Sequence, residues 1–136
     1  MKYEELKEQA KFVRWCREQG HKTYAPPKAF TRSGAQINDN TRAGFTSGWP
    51  DVAIVIYGKY RANSLPKLVF VEMKRCKGGI TSPKQREWID LLRFCEGVSA
   101  QICNGFEEAK AFISRFIEKE VDRDLEFNNF VKELHE

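Results

Sequence analysis

A chain of 136 residues, 41% hydrophobic and 31% charged, suits one domain with its own core, which excludes wholesale disorder and a disulfide-dependent miniature scaffold. The net charge of +4 allows a polyanionic partner without demanding one. The opening MKYEELKEQAK is too charged for a signal peptide, and no apolar run approaches bilayer-spanning length. Cys16, Cys76, Cys95 and Cys103 form no C-x-x-C pair and the chain has only two histidines, His21 and His135, which argues against structural zinc. Cys16, Cys95 and Cys103 sit among apolar residues and read as reduced core fillers.

In chain order, residues 3 to 19 carry Leu6, Ala10, Phe12, Val13 and Cys16 at near-helical spacing, and Gly20 supplies a stop. His21 to Ala25 is a short strand closed by two prolines. Residues 28 to 50 read as one long polar loop, and a loop of that length in a compact domain points to function. DVAIVIY (51 to 57) and LVFVEMK (68 to 74) read as buried strands paired antiparallel. Ser82-Pro83 opens a helix whose apolar face carries Trp88, Ile89, Leu91, Leu92 and Cys95, with Gly97 as its stop. A strand from Val98 to Cys103 follows, then a helix over 105 to 119 with Ala109, Phe112, Ile113 and Phe116 inward. Residues 122 to 135 form a last helical segment. The expected architecture is α/β, with a central mixed sheet flanked by helices.

Chemistry concentrates where the two buried strands end. Asp51 starts one and Glu72 nearly ends the other, so antiparallel pairing brings the two carboxylates together. Two close carboxylates are costly to keep ionised unless a cation lies between them, and hard divalent ions such as Mg²⁺ or Mn²⁺ meet that need. Lys74 lies two residues beyond Glu72 and therefore points to the same side. Metal plus lysine is a sufficient set for phosphodiester hydrolysis. Taken singly, Asp51 could be a turn residue and Glu72-x-Lys74 a solvated pair.

These residues resemble the PD-(D/E)-x-K nuclease superfamily, and within it the VRR-NUC family. Pro50-Asp51 followed by Glu72-Met73-Lys74 is similar to the superfamily signature. Gly48-x-Pro50-Asp51 resembles the family's G-x-P-D, and Ser82-Pro83-x-Gln85 followed by Trp88, Ile89 and Leu92 resembles its S-P-x-Q helix start. Glu5, Gln9 and Trp15 resemble its first helix. The resemblance spans roughly residues 5 to 117. It implies a restriction-endonuclease-like core, with residues 1–119 as the nuclease domain and 120–136 as a helical extension packing on the domain or on a dimer partner. It implies Asp51, Glu72 and the main-chain carbonyl of Met73 as ligands of Mg²⁺ or Mn²⁺, and Lys74 as the catalytic lysine. Gln85 would help place water or Lys74, and Glu5 would be an outer-shell or second-metal acid, with Glu4 and Glu8 as close neighbours. The alternative for Gln85 is to be the partner of Ser82 in a capping box.

The resemblance further implies a metal-dependent DNA endonuclease selective for branched DNA such as flaps or four-way Holliday junctions, acting as a homodimer. Neither a small-molecule cofactor nor a membrane is expected, and the expected location is cytoplasmic, in a host's cytoplasm if the source is viral. Lys28, Arg32 and Arg42 before Asp51, Arg75 and Lys77 after the second strand, and Lys84 and Arg86 on the next helix should converge as a phosphate-binding edge. Phe30, Phe45 and Trp49 could stack on an unpaired base or simply anchor the loop. Two other readings stay open: a nucleic-acid-binding module without catalysis, and a restriction-type, sequence-specific nuclease.

Overall fold

The computed structural model describes residues 2–27, 42–44, 46–117 and 131–135. Helix α1 (Lys2–Glu18) buries Phe12 and Cys16, one turn apart, while Tyr3 and Leu6 stay exposed. It ends as Gly20 requires. With φ at +86°, Gly20 donates its N–H to Arg17, and His21 donates back to the Cys16 carbonyl at 2.9 Å, closing a Schellman turn.

Four strands follow: β1 (Lys22–Tyr24), β2 (Val52–Ile56), β3 (Lys67–Lys74) and β4 (Val98–Asn104). They lie in the order β1-β2-β3-β4. β1 to β2 and β2 to β3 are antiparallel, whereas β3 to β4 is parallel. A parallel pair needs a crossover, and helix α2 (Pro83–Arg93) provides it. Helix α3 (Phe106–Ser114) follows β4, and a short 3-10 turn, Gly58–Tyr60, leads from β2 towards β3.

The sheet is covered on both sides, which is why β3 reads as unbroken apolar sequence. Val69, Val71 and Met73 pack with Val52, Ile54 and Ile56 beneath α1 and α3, against Phe12, Phe112 and Ile113. Phe70 points the other way, towards Ile89 and Leu92 of α2 and Ala100 of β4. By the two-residue period of a strand, Glu72 and Lys74 share the α2 side with Phe70.

Several expectations need correcting. Leu91 and Cys95 do not belong to the packed face of α2; both are exposed. At about 100° per residue, Leu91 lies nearly opposite Ile89, and the helix ends before Cys95. The helix expected over 105 to 119 stops at Ser114, where Arg115 and Phe116 switch to bonds with Phe112 and Ile113. Of the last helical segment, residues 131 to 134 are helical, His135 is a turn residue, and 122 to 130 lie outside the described residues. The division between residues 119 and 120 also falls outside them. Cys16 and Cys103 are buried as expected, and burial pushes both thiols up to about 12. Among the described residues, no helix is long and apolar enough to cross a membrane.

Candidate active site

The β2/β3 register sets the first geometric relation. Val52 stands opposite Val71, so Asp51 stands opposite Glu72, one position beyond the last paired residues of β2. Residues directly opposed across an antiparallel pair project to the same face. Asp51, Glu72 and Lys74 therefore meet on the α2 side, at the carboxyl end of β3. Asp51 Oδ2 also accepts the Met73 N–H at 2.9 Å, which holds its carboxylate against the strand bearing the other two.

Glu72 and Lys74 are 1% and 4% exposed, so their charges are removed from bulk water. Buried charges are costly unless paired and hydrogen-bonded. Lys74 Nζ lies 3.6 Å from Glu72 Oε1, and the amide of Gln85 closes the network. Gln85 Nε2 donates to Glu72 Oε1 at 2.7 Å, while its Oε1 accepts from Lys74 Nζ at 2.9 Å. The same Oε1 accepts the Ser82 N–H at 2.9 Å, and Ser82 Oγ accepts the Gln85 N–H at 3.2 Å. The capping box and the bridge to the carboxylate and the lysine, alternatives in the sequence, are made by one side chain at once. The amide orientation follows from its partners, since two donors face its oxygen and a carboxylate faces its nitrogen.

Two glycines hold the frame. Gly48 has φ at +91°, and a Cβ there would stand 2.7 Å from the Lys84 carbonyl carbon and 2.9 Å from the Gln85 nitrogen. The G-x-P-D segment thus lies flush on the first turn of α2 because position 48 has no side chain. A Cβ on Gly79 would come within 2.9 Å of Lys74 Cβ, so the loop after β3 closes over the lysine.

The cluster opens into a cleft of about 590 Å³ lined by Asp51, Gln85, Trp49, Trp88 and Gln9. Glu5 stands one helical turn before Gln9, on the same stripe of α1. Among the described residues no three His, Cys, Asp or Glu side chains form a group placed to hold a metal ion. Glu8, the neighbour of Glu5, is committed elsewhere. It accepts the Phe106 N–H at 3.0 Å, capping α3 from outside, and the Cys76 thiol at 3.3 Å. The bond from Phe106 chiefly lowers its pKa. Gly105, at the N-terminus of α3, has no side chain to do that work.

Of the basic residues, Lys28 and Arg32 lie outside the described residues, as do Phe30 and Phe45. Lys84 and Arg86 are exposed on the first turn of α2, on either side of Gln85 and so beside the cleft. Arg42 and Lys77 are exposed too. Arg75 is half-buried and donates to the Gly78 carbonyl at 2.8 Å, tying its own turn.

Sequence reasoning missed the second function of Gly48, the capping by Glu8 and the burial of His21. His21 sits edge-on to Tyr60 and Trp15, with ring centroids 5.2 and 6.3 Å away. Only Gly48, as part of a motif, carried a sequence signal; the other two depend on contacts between distant elements.

The model of the VRR-NUC domain family matches residues 1–107. A solved structure described as a VRR_NUC domain protein is 22% identical with a TM-score of 0.62, over 83% of this chain and 87% of that one. That level of identity speaks for a shared fold. No curated protein matches the chain.

Proposed function

Because the chain belongs to the VRR-NUC family and so carries a nuclease-type domain, we propose that it is a Mg²⁺- or Mn²⁺-dependent endonuclease that hydrolyses phosphodiester bonds in branched DNA. The observation that carries this reading is the closed Lys74–Gln85–Glu72 network facing Asp51 across the strand register, beside an open cleft that Asp51 and Gln85 line.

The donor set fits a hard divalent cation. Mg²⁺ is held by one or two carboxylates, with waters and substrate phosphates completing its shell. Asp51 and Glu72 would supply the carboxylates and Met73 its main-chain carbonyl. Such an ion would supply Lewis-acid charge at the scissile phosphate.

The chain's own residues do the positioning. Lys74 would hold its ammonium towards the attacking water or a phosphate oxygen. Gln85 would fix both Lys74 and Glu72, so neither has to reorganise when substrate arrives. Lys84 and Arg86 would hold the DNA backbone at the cleft mouth, which favours recognition by shape over base sequence. A homodimer would place two such sites on one branched substrate.

The test uses labelled linear duplex, flap and four-way junction DNA with Mg²⁺, Mn²⁺ or EDTA. Cleavage that needs metal and favours a branched substrate is expected. No cleavage of any substrate with either metal at enzyme excess would overturn the enzyme reading. Equal cleavage of linear and branched DNA would remove the structural selectivity, and a monomeric mass by light scattering would remove the dimer.

A further inference from the structure

The cleft holds more than a hydrolytic cluster needs. Trp49 lies edge-on to Trp88, with centroids 4.9 Å apart and planes at 79°, and to Phe70 at 5.3 Å and 77°. Both tryptophans line the cleft together with Asp51 and Gln85. The aromatic and polar pairs come from the same two elements: Trp49 precedes Asp51 by two residues, and Trp88 follows Gln85 by three.

Trp49 is nonetheless 42% exposed. Its backbone is set on both sides, by Gly48 against α2 and by the fully buried Pro50. The indole is therefore held in place while much of its surface remains open. An anchor alone would be better placed with the ring covered. A cleft of about 590 Å³ lies within the range that takes a nucleotide-sized ligand.

We propose that Trp49, braced by Trp88 and Phe70, is a stacking site for an unpaired base of the DNA strand next to the bond being cut. Every base offers a π-face, so such a site selects for unpaired nucleotides without reading sequence. A fully paired duplex has no base to give it. This proposal deepens the nuclease reading and rests on it for the position of the cut strand.

Its test is a binding measurement in EDTA, which needs no turnover. Trp15 packs in the other layer, beside Phe12, His21 and Phe106. In a Trp15→Phe background the only tryptophans left to report are Trp49 and Trp88, since the chain has three. The probes are a short oligothymidylate, a duplex with a single-stranded gap, and a blunt hairpin duplex of matched phosphate count, closed by a base-free ethylene-glycol linker so that it holds no unpaired base. The first two should quench the fluorescence and the hairpin should not.

Trp49→Leu, which keeps apolar bulk, should weaken oligothymidylate binding at least about fivefold and leave hairpin binding unchanged. Trp49→Phe should retain most of the preference. Equal quenching by hairpin and oligothymidylate would overturn the proposal, as would a Trp49→Leu loss shared by both or absent from both. Matching saturation by free thymidine monophosphate would overturn the assignment to a DNA strand. If the quench and its preference appear while no DNA is cleaved with metal, the stacking site stands and the hydrolytic reading falls. If DNA is cleaved without the binding preference, the hydrolytic reading stands and the stacking site falls.

Discussion

Replacing Gln85 separates what the helix cap contributes from what the buried network contributes. Gln85→Ala removes the network and one half of the capping box, while Ser82 Oγ still accepts the N–H of residue 85. The lost bond to the Ser82 N–H costs about 1 kcal/mol. Bonds to charged groups are worth more, and Gln85 makes two, to Glu72 and Lys74. Lys74 and Glu72 still neutralise each other, and water can enter from the cleft, so about 2 kcal/mol is a fair share for that loss. The total of about 3 kcal/mol should lower the melting midpoint by roughly 10 °C.

Gln85→Glu behaves differently. A glutamate at this helix position still completes the box with Ser82. It also sets a carboxylate against Glu72 where an amide now donates at 2.7 Å. The pair would share a proton, with Lys74 offsetting only part of the repulsion, and its folded-state pKa would rise. A raised folded pKa gives stability that is present at low pH and lost as pH rises through that value. Thermal denaturation in EDTA from pH 4 to 8 should therefore show the variant near wild type at the acid end and progressively weaker towards neutrality. Equal midpoints for Gln85→Glu and wild type at pH 8, or a Gln85→Ala shift under about 2 °C, would refute the network as described.

Further outcomes follow from other contacts. Gly48→Ala meets both a φ of +91° and the backbone of Lys84 and Gln85, so it should cost about 2 kcal/mol or more in a denaturant melt and reduce cleavage by shifting α2 from Asp51. Lys74→Ala leaves Glu72 buried without its ammonium. Cleavage should vanish while DNA binding measured by anisotropy persists, with a stability loss of about 3 kcal/mol. Mn²⁺ should raise the melting midpoint of the wild type, by an amount worth about 2.7 kcal/mol at a hundredfold excess over Kd, and should fail to do so in Asp51→Asn. His21 is buried, neither of its ring nitrogens has a hydrogen-bond partner among the described residues, and burial lowers its pKa below 6.5. The unfolded chain then takes up the proton first, so stability falls as pH drops below 6.5. His21→Phe should flatten that limb of the pH–stability curve relative to wild type.

The sequence by itself determined the elements and the placement of the chemistry. Apolar β-branched runs around 52–56 and 67–74, the Gly20 stop and the Ser82-Pro83 start are local signals, and each appears at its expected place. Because strand side chains alternate and antiparallel partners oppose, the order of residues alone assigns Asp51, Glu72 and Lys74 to one locus. Tertiary structure decided what depends on which surfaces meet. Periodicity placed Leu91 and Cys95 on an apolar face, but how far α2 extends and how it rolls on the sheet left them in solvent. Whether Gln85 caps a helix or holds a carboxylate could not be settled along one chain direction, since the answer lies in the approach of β3 to the first turn of α2. Glu8, one turn from Glu5, was drawn to the N-terminus of α3 by a backbone N–H that no sequence pattern announces. Local propensity writes the elements; the partner of each polar group is written by packing, and in this protein the site consists of such partners.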